Sequence, residues 1–192
     1  MGSVVLERRT RETEGKIDFD PWGQGRIQVS TGIGFLDHMI YALAYHARFN
    51  LELRLQGDLE VDDHHTVEDS AILLGSALQE AWSTSPEICR FGDAHAPLDE
   101  ALARCVVDFS GRPGGWITLG LRRETLGSCA SENLEHFLLS LAINSRITLH
   151  VDVLRGDNDH HRAEAAFKAT ALAFKSALAP SDTLLSTKGV LG

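Results

Sequence analysis

The sequence has few cysteines, few basic residues and no long apolar run, and each scarcity disfavours a class of protein. Its three cysteines are widely spaced and never form a C-x-x-C pair, so we expect reduced thiols in a cytoplasmic protein. Eighteen Lys and Arg against 27 Asp and Glu give a formal net charge of −9, which disfavours nucleic acid and anionic membrane surfaces as partners. No run approaches the ~18 apolar residues of a membrane span, and the N-terminal segment lacks a signal-peptide core. An anionic substrate would depend on locally placed arginine and lysine side chains.

Histidine, in contrast, is abundant, and its positions repeat. Six of the nine histidines fall in or near two similar segments, EVDDHHTVED (60–69) and GDNDHHRAEA (156–165). Both contain the core Asp-His-His-x-x-Glu, and the wider context repeats as well, with 98 residues from His38 to His136 and 96 from His64 to His160. A shared order of motifs at a nearly constant offset indicates a duplicated module. We therefore expect a single domain made of two structural repeats, about residues 1–92 and 93–192.

Each half is predicted to supply strands and then a helix. The runs FNLELRLQG and ITLHVDVLRG alternate in polarity as half-buried strands do, and RIQVSTGIG, RCVVDF and WITLGLR also resemble strands. After Glu68 and after Glu164, apolar residues recur at nearly helical spacing. Asp63 and Asp159 occupy the positions of helix N-caps. The predicted fold class is α+β, with sheets packed against helices.

The spacing within each repeated phrase favours two metal ions. His64 and Glu68 are four residues apart, so on a helix they share one face and can bind one ion, whereas His65 points about 100° away. The second copy repeats this arrangement. Each ion is therefore predicted to receive one His-x-x-x-Glu pair and the remaining histidine of the other copy. The predicted sets are His64, Glu68 and His161 for one ion and His160, Glu164 and His65 for the other, with His38 and His136 as the natural additional ligands.

Spacing leaves open where the two copies meet and which metal they bind. Both ligand sets could come together within one chain, or the quasi-symmetric halves could meet across the subunits of an oligomer, which we favour. Imidazole and carboxylate ligands suit Mn, Fe, Co, Ni or Zn. A single Asp-His-His segment is more often a polar surface feature at a helix start, but its repetition in order argues against that interpretation.

Six ordered motifs resemble those of the imidazoleglycerol-phosphate dehydratase family, in its monofunctional form without a fused phosphatase domain. They are TGIGFLDHM, DDHHTVED, PLDEALARCVVDFSGRP, EHF, GDNDHHRAEAAFKA and STKGVL, and the resemblance extends from about Val5 to Leu191. It implies two duplicated half-modules similar to the ribosomal protein S5 domain 2-like fold. It also implies a homo-oligomer of 24 subunits with two Mn²⁺ ions per active site at subunit interfaces. The implied metal ligands are His38, His64, His65, Glu68, His136, His160, His161 and Glu164.

The reaction that this resemblance implies is the loss of water from D-erythro-imidazoleglycerol phosphate, which gives imidazole-acetol phosphate in histidine biosynthesis. The carbon that loses its proton is next to an imidazole and not next to a carbonyl, so the carbanion lacks an ordinary acceptor for its charge. Divalent ions on both ring nitrogens would favour the imidazolate and spread the developing charge. Two matched ligand sets suit a substrate with two similar nitrogens.

The resemblance also implies which residues contact the substrate. Arginine forks, lysine charges and hydroxyl donors suit a phosphate dianion; the matching positions are Arg90, Arg112, Lys168, Ser186, Thr187 and Lys188. Glu12 matches a glutamate that contacts the substrate, and it is the candidate acid/base because no metal requires it. The expected catalytic residues are Glu12, His38, His65, His160 and Glu164. Asp37, beside His38, is a candidate for orienting the ligands.

Two other functions fit part of the pattern. A dinuclear hydrolase acting on a phosphorylated substrate would also mix histidine with carboxylates, but such sites usually bridge their ions with Asp or Glu. Here each predicted ion has only one carboxylate. A metal-binding or scaffold protein without catalytic activity would take up metal without turnover and would have no use for the cationic residues as a set.

Overall fold

The computed structural model describes residues 2–84 and 88–182, and these form two sets of elements in the same order. Ser186, Thr187 and Lys188 lie outside the described residues. The first set is β1 (Val4–Arg9), β2 (Thr13–Asp20), β3 (Ile27–Ser30), α1 (Gly34–Ala47), β4 (Asn50–Gly57) and α2 (His64–Ser83). The second is β5 (Phe91–Leu98), β6 (Ala101–Asp108), β7 (Gly114–Thr118), β8 (Thr125–Leu126), β9 (Cys129–Ala130), α3 (Ser131–Asn144), β10 (Thr148–Arg155) and α4 (Asp159–Ala177). The two sets differ by the short antiparallel pair β8–β9.

Both four-stranded sheets have the same topology. Their strand orders are β1-β2-β4-β3 and β5-β6-β10-β7. Neighbours are antiparallel except for β3 with β4 and β7 with β10, which are parallel. Parallel neighbours require a crossover connection, and α1 and α3 supply it in the respective halves. The α+β prediction and the duplicated arrangement are therefore confirmed.

The helices bury their apolar faces against the sheet of their own half and against helices of the other half. Alternation along β4 places Leu51, Leu53 and Leu55 in the core and leaves Glu52 and Arg54 exposed. Burying one such leucine contributes roughly 1.5–3 kcal/mol. Between the halves, α1 packs against α4 and α2 packs against α3. The helices α2 and α4 each carry a histidine pair at their start, and α1 and α3 each carry at least one further histidine. The packing therefore places each histidine pair beside a helix with another histidine. None of the helices among the described residues is long and apolar enough to cross a membrane.

Equivalent residues cap the starts of α2 and α4. The backbone N–H of His64 donates to Asp62 at 2.9 Å, and the backbone N–H of His160 donates to Asn158 at 2.9 Å. Asp63 occupies the N-cap position of α2, but its side chain makes no capping hydrogen bond. Each start is therefore capped by the residue one position before the predicted aspartate.

The prediction that Asp159 is an N-cap was wrong, because Asp159 is the first residue of α4 and its carboxylate is used elsewhere. It accepts hydrogen bonds from the backbone N–H groups of Arg122 and Arg123 at 2.8 and 2.7 Å. Asp63 similarly accepts from the backbone N–H of Ala130 at 2.7 Å. These hydrogen bonds hold the two ends of segment 122–130 against the N-terminal ends of α4 and α2.

Candidate metal centre and active site

The first cluster consists of His64, Glu68 and His136, and it forms where α2 meets α3. Each residue offers a ligand atom, and these atoms lie within 4.8 Å of one another. Nε2 of His136 is 3.1 Å from Oε1 of Glu68. The rings of His64 and His136 are stacked, with their centroids 4.8 Å apart.

The second cluster consists of His38, His160 and Glu164, and it forms where α1 meets α4. Its ligand atoms also lie within 4.8 Å of one another. Oε2 of Glu164 is 3.2 Å from Nε2 of His38 and 3.2 Å from Nε2 of His160. Spacing predicted the pairs His64–Glu68 and His160–Glu164, and the helix packing adds one histidine to each.

Both clusters fit a transition-metal ion. Nitrogen and oxygen ligands bind such ions at about 2.0–2.2 Å, so two ligands of one ion are at most about 4.4 Å apart. Atoms within 4.8 Å of one another need only small side-chain movements to reach this range. An ion held by the three ligand atoms of one cluster would keep coordination positions open for other ligands.

His65 and His161 lie outside both clusters within this chain, although spacing predicted one of them for each ion. The ring centroids of His64 and His65 are 6.0 Å apart, and those of His160 and His161 are 6.2 Å apart, with the ring planes at 73° and 86°. Neighbouring residues on a helix point about 100° apart, which explains the separation. Within one chain, the third residue is instead His136 in the first cluster and His38 in the second.

Carboxylates hold these two remaining histidines by Nδ1. Nδ1 of His65 is 3.1 Å from both carboxylate oxygens of Asp58, and Nδ1 of His161 is 2.7 Å from Oε2 of Glu100. These hydrogen bonds raise the pKa of both histidines. The pKa of Glu100 is lowered to about 2, chiefly by the hydrogen bond from the backbone N–H of Asn158 and next by the hydrogen bond with the His161 side chain. A carboxylate on Nδ1 leaves Nε2 as the nitrogen available to a metal.

Asp58 and Glu100 were not identified from the sequence, whereas Asp37 was identified as a candidate for orienting the ligands. Asp37 accepts hydrogen bonds from the backbone N–H and the hydroxyl of Thr31, so it fastens the start of α1. Asp58 and Glu100 are seven and 61 residues from the histidines they hold. The one available signal was their position inside or beside the motifs, in GDLEVDDHH and PLDEA.

Lys168 contacts the carboxylate of the second cluster. Its Nζ is 2.8 Å from Oε1 of Glu164. Burial opposes the ionisation of Glu164, but the hydrogen bond and charge of Lys168, with a smaller contribution from His38, hold its pKa at about 2. Glu164 is therefore an anion at neutral pH, as a metal ligand must be.

Glu12 lies beside His65, in a turn that is fastened to α2. Oε2 of Glu12 is 3.8 Å from Nε2 of His65. The hydroxyl of Thr10 accepts the backbone N–H groups of Glu12 and Thr13 and so shapes the turn. The hydroxyl of Thr13 in turn donates to the buried carboxylate of Asp69, next to Glu68 in the sequence. The turn thus places a carboxylate close to the start of α2.

The predicted phosphate-binding arginines share one carboxylate. Arg90 makes a two-pronged contact with Asp108, at 2.7 and 3.1 Å, and its guanidinium lies 4.6 Å above the ring of Phe91. Arg112 reaches the same carboxylate at 3.3 Å and is 62% exposed. Arg90 and Arg112 are therefore brought together, while Lys168 lies against Glu164.

Comparison with known proteins decides the family. The sequence model of the imidazoleglycerol-phosphate dehydratase family matches residues 31–174, which include every residue of both clusters. The chain belongs to the imidazoleglycerol-phosphate dehydratase family. It is therefore an enzyme of the hydro-lyase class.

Members of the family from several organisms are similar to this chain. The imidazoleglycerol-phosphate dehydratase of Candida glabrata is 56% identical over 172 residues, which cover 88% of this chain and 82% of that protein. That of Saccharomyces cerevisiae is 56% identical over 167 residues, which cover 86% and 76%. The crystal structure of the Staphylococcus aureus enzyme matches with a TM-score of 0.82 at 34% identity, covering 93% of this chain and 99% of that chain. The Pyrococcus furiosus enzyme in complex with (S)-C348 matches with a TM-score of 0.83 at 34% identity, covering 97% and 100%.

Proposed function

We propose that this dehydratase uses two Mn²⁺ ions to remove water from D-erythro-imidazoleglycerol phosphate, giving imidazole-acetol phosphate for histidine biosynthesis in the cytoplasm. The observation that carries the proposal is the pair of clusters at equivalent positions of the two repeats, each with two histidines and one glutamate. A substrate with two similar ring nitrogens suits two equivalent ligand sets. The three unpaired cysteines are in keeping with a reducing compartment.

The ligands of the proposed ions are the two clusters together with His65 and His161. When bound to the two imidazole nitrogens, the ions would favour the imidazolate and so provide an acceptor for the charge of the departing proton. Glu68 contributes one negative charge to the first cluster, and Glu164 contributes one to the second. The histidines of both clusters would hold the ions through neutral imidazole nitrogens and so would fix the orientation of the substrate ring.

Glu12 is the proposed acid/base. Its carboxylate belongs to neither cluster, is 54% exposed and lies 3.8 Å from Nε2 of His65. A carboxylate in this position can take the proton from the substrate carbon at one of its oxygens. The turn that fastens Glu12 to α2 limits the movement of this carboxylate relative to His65.

Arg90, Arg112 and Lys168 are proposed to bind the substrate phosphate, with Ser186, Thr187 and Lys188 as further ligands. The net charge of −9 makes locally placed cations necessary for a dianion. Asp108 orients Arg90 and Arg112, and Arg112 is exposed enough to turn towards a ligand. A phosphate oxygen can replace one carboxylate contact of either arginine.

The active sites are proposed to lie at the interfaces of a 24-subunit homo-oligomer. His65 and His161 support this, because each is held by Nδ1 and neither joins a cluster within the described part of its own chain. Their Nε2 atoms would complete clusters on neighbouring subunits. An interface of this kind is compatible with a closed symmetric assembly.

The function is tested by turnover of the purified protein with Mn²⁺ and imidazoleglycerol phosphate, assayed for the ketone product. Metal-loaded protein that forms no product would refute the proposed reaction. In the variant Glu164→Gln we expect metal binding and activity to be lost together, because the second cluster loses its carboxylate. In Arg112→Ala we expect chiefly a higher KM. Arg54→Ala is the matched control, since Arg54 is 63% exposed on the outer face of the first sheet, and its KM should not change.

A further inference from the structure

The two clusters occupy equivalent positions, but the residues around them differ. The repeat offset on α1 and α3 is 98 residues, and it relates Phe35 to Asn133 just as it relates His38 to His136. Each of these residues lies one helical turn before the histidine that joins the cluster. One half therefore has an amide beside its cluster where the other half has an aromatic ring.

Asn133 hydrogen-bonds a ligand of the first cluster. Its side-chain oxygen is 3.1 Å from Nδ1 of His64, and the residue is only 4% exposed. Since the amide oxygen can only accept, Nδ1 carries the proton and Nε2 keeps its lone pair. A hydrogen bond of this kind orients an imidazole and increases its basicity as a metal ligand.

Phe35 contacts the second cluster without hydrogen bonding. Its ring meets that of His160 edge-on, with centroids 5.2 Å apart, and that of His38 at 6.3 Å. A phenyl ring has no acceptor atom, so it orients these imidazoles by packing alone. The increase in basicity that Asn133 gives His64 has no counterpart from Phe35.

The carboxylates of the two clusters differ in the same direction. Lys168 lies 2.8 Å from Glu164, and the offset of 96 residues on the α2 and α4 helices places Ile72 at the equivalent position beside Glu68. The lysine occupies one oxygen of Glu164, and its positive charge repels an incoming cation. Ile72 does neither to Glu68.

We propose that the two clusters bind divalent cations with unequal affinity, the first cluster tightly and the second weakly, so that the ions enter in a defined order. This inference rests on the proposed two-metal function. It assigns Asn133 and Phe35 as the positioning residues that distinguish the clusters. The second ion would be the exchangeable one.

The test is a Mn²⁺ titration of the metal-free full-length protein, with free Mn²⁺ followed by electron paramagnetic resonance and heats by calorimetry. We expect two classes of site per chain that differ at least about 10-fold in affinity, the size of effect that hydrogen bonds to metal ligands have. Two sites per chain that bind Mn²⁺ with the same affinity would overturn the inference and leave the two-metal function intact. No Mn²⁺ uptake at all would refute the proposed metal function itself.

Substituting each of the two positioning residues tests the cause of the difference. Asn133→Ala should weaken the tight class about 10- to 100-fold, and Phe35→Asn should strengthen the weak class. Asn144→Ala is the control. Asn144 is an asparagine of the same helix, and its side-chain amide donates to the backbone carbonyl of Ser140. Circular dichroism checks the folding of each variant. Affinities that stay unequal and unchanged in both folded variants would overturn the assignment of Asn133 and Phe35.

Discussion

Nδ1 of His161 lies 2.7 Å from the carboxylate of Glu100, an arrangement that Asp58 and His65 share at 3.1 Å. In both cases a carboxylate in a connecting segment holds the histidine that lies outside the two clusters formed by the described residues. The two acids are not related by the repeat offset, since Asp58 follows β4 and Glu100 lies in the turn between β5 and β6. The two halves therefore reached the same arrangement with different residues.

Removal of either acid should weaken metal binding. In Glu100→Gln we expect about a 10- to 100-fold loss of Mn²⁺ affinity, because His161 loses the partner that orients it and increases its basicity. Calorimetric titration measures this, and Glu60→Gln, in an exposed loop, controls for the loss of one negative charge. Equal affinity of Glu100→Gln and the unmodified chain would contradict the role of Glu100.

Glu12→Gln should separate chemistry from metal binding. The carboxylate of Glu12 belongs to neither cluster, so Mn²⁺ affinity should stay unchanged while kcat falls about 10²- to 10⁴-fold, the usual contribution of an acid/base. Steady-state kinetics and Mn²⁺ titration of the same preparation test both parts. Glu14→Gln, two residues along in an exposed position, should retain kcat. Parallel loss of metal would show that Glu12 acts as a ligand.

Asp69 should be required for stability. It is 5% exposed and accepts hydrogen bonds from Arg8 and Thr13, so Asp69→Ala removes the carboxylate that both side chains bind in a buried position. The expected loss is about 1–3 kcal/mol in the free energy of unfolding, measured by urea denaturation. Asp18→Ala, on the exposed side of β2, should change it by less than about 0.5 kcal/mol. Similar values for the two variants would argue against the fastening of the Glu12 turn to α2.

The ion pair of Lys168 and Glu164 should make stability depend on pH in the metal-free protein. The pKa of Glu164 falls from 4.5 to about 2 on folding, so its contribution is fully present above pH 4.5 and is lost as the pH falls through about 2. Lys168→Gln should therefore destabilise the chain on the order of 2 kcal/mol at pH 7 and progressively less below pH 4.5. Urea denaturation in a chelator measures this, with Lys175→Gln, exposed on the same helix, as the control. A difference that does not shrink on acidification would exclude Glu164 as its source.

The parts of the site that were predictable are those set by short-range spacing. His64 with Glu68 and His160 with Glu164 share a helical face whatever the rest of the chain does, and the periodic apolar residues predict those helices. The N-cap of α4 was misassigned because Asn158 and Asp159 are both good capping residues. Only the backbone of residues 122 and 123, far along the chain, decides that Asp159 is used elsewhere.

Four features follow from periodicity or from the order of motifs and need no tertiary contacts: the duplication, the α+β class, both His-x-x-x-Glu pairs and the resemblance to one family. Tertiary structure alone decided that His38 joins the pair on α4 and His136 the pair on α2. It also decided that Asp58, Glu100 and Asn133 contact histidines of the repeated motifs. These contacts join residues brought together by the packing of helices from opposite halves or by the ends of strands, and no local pattern of residues encodes which helix lies beside which.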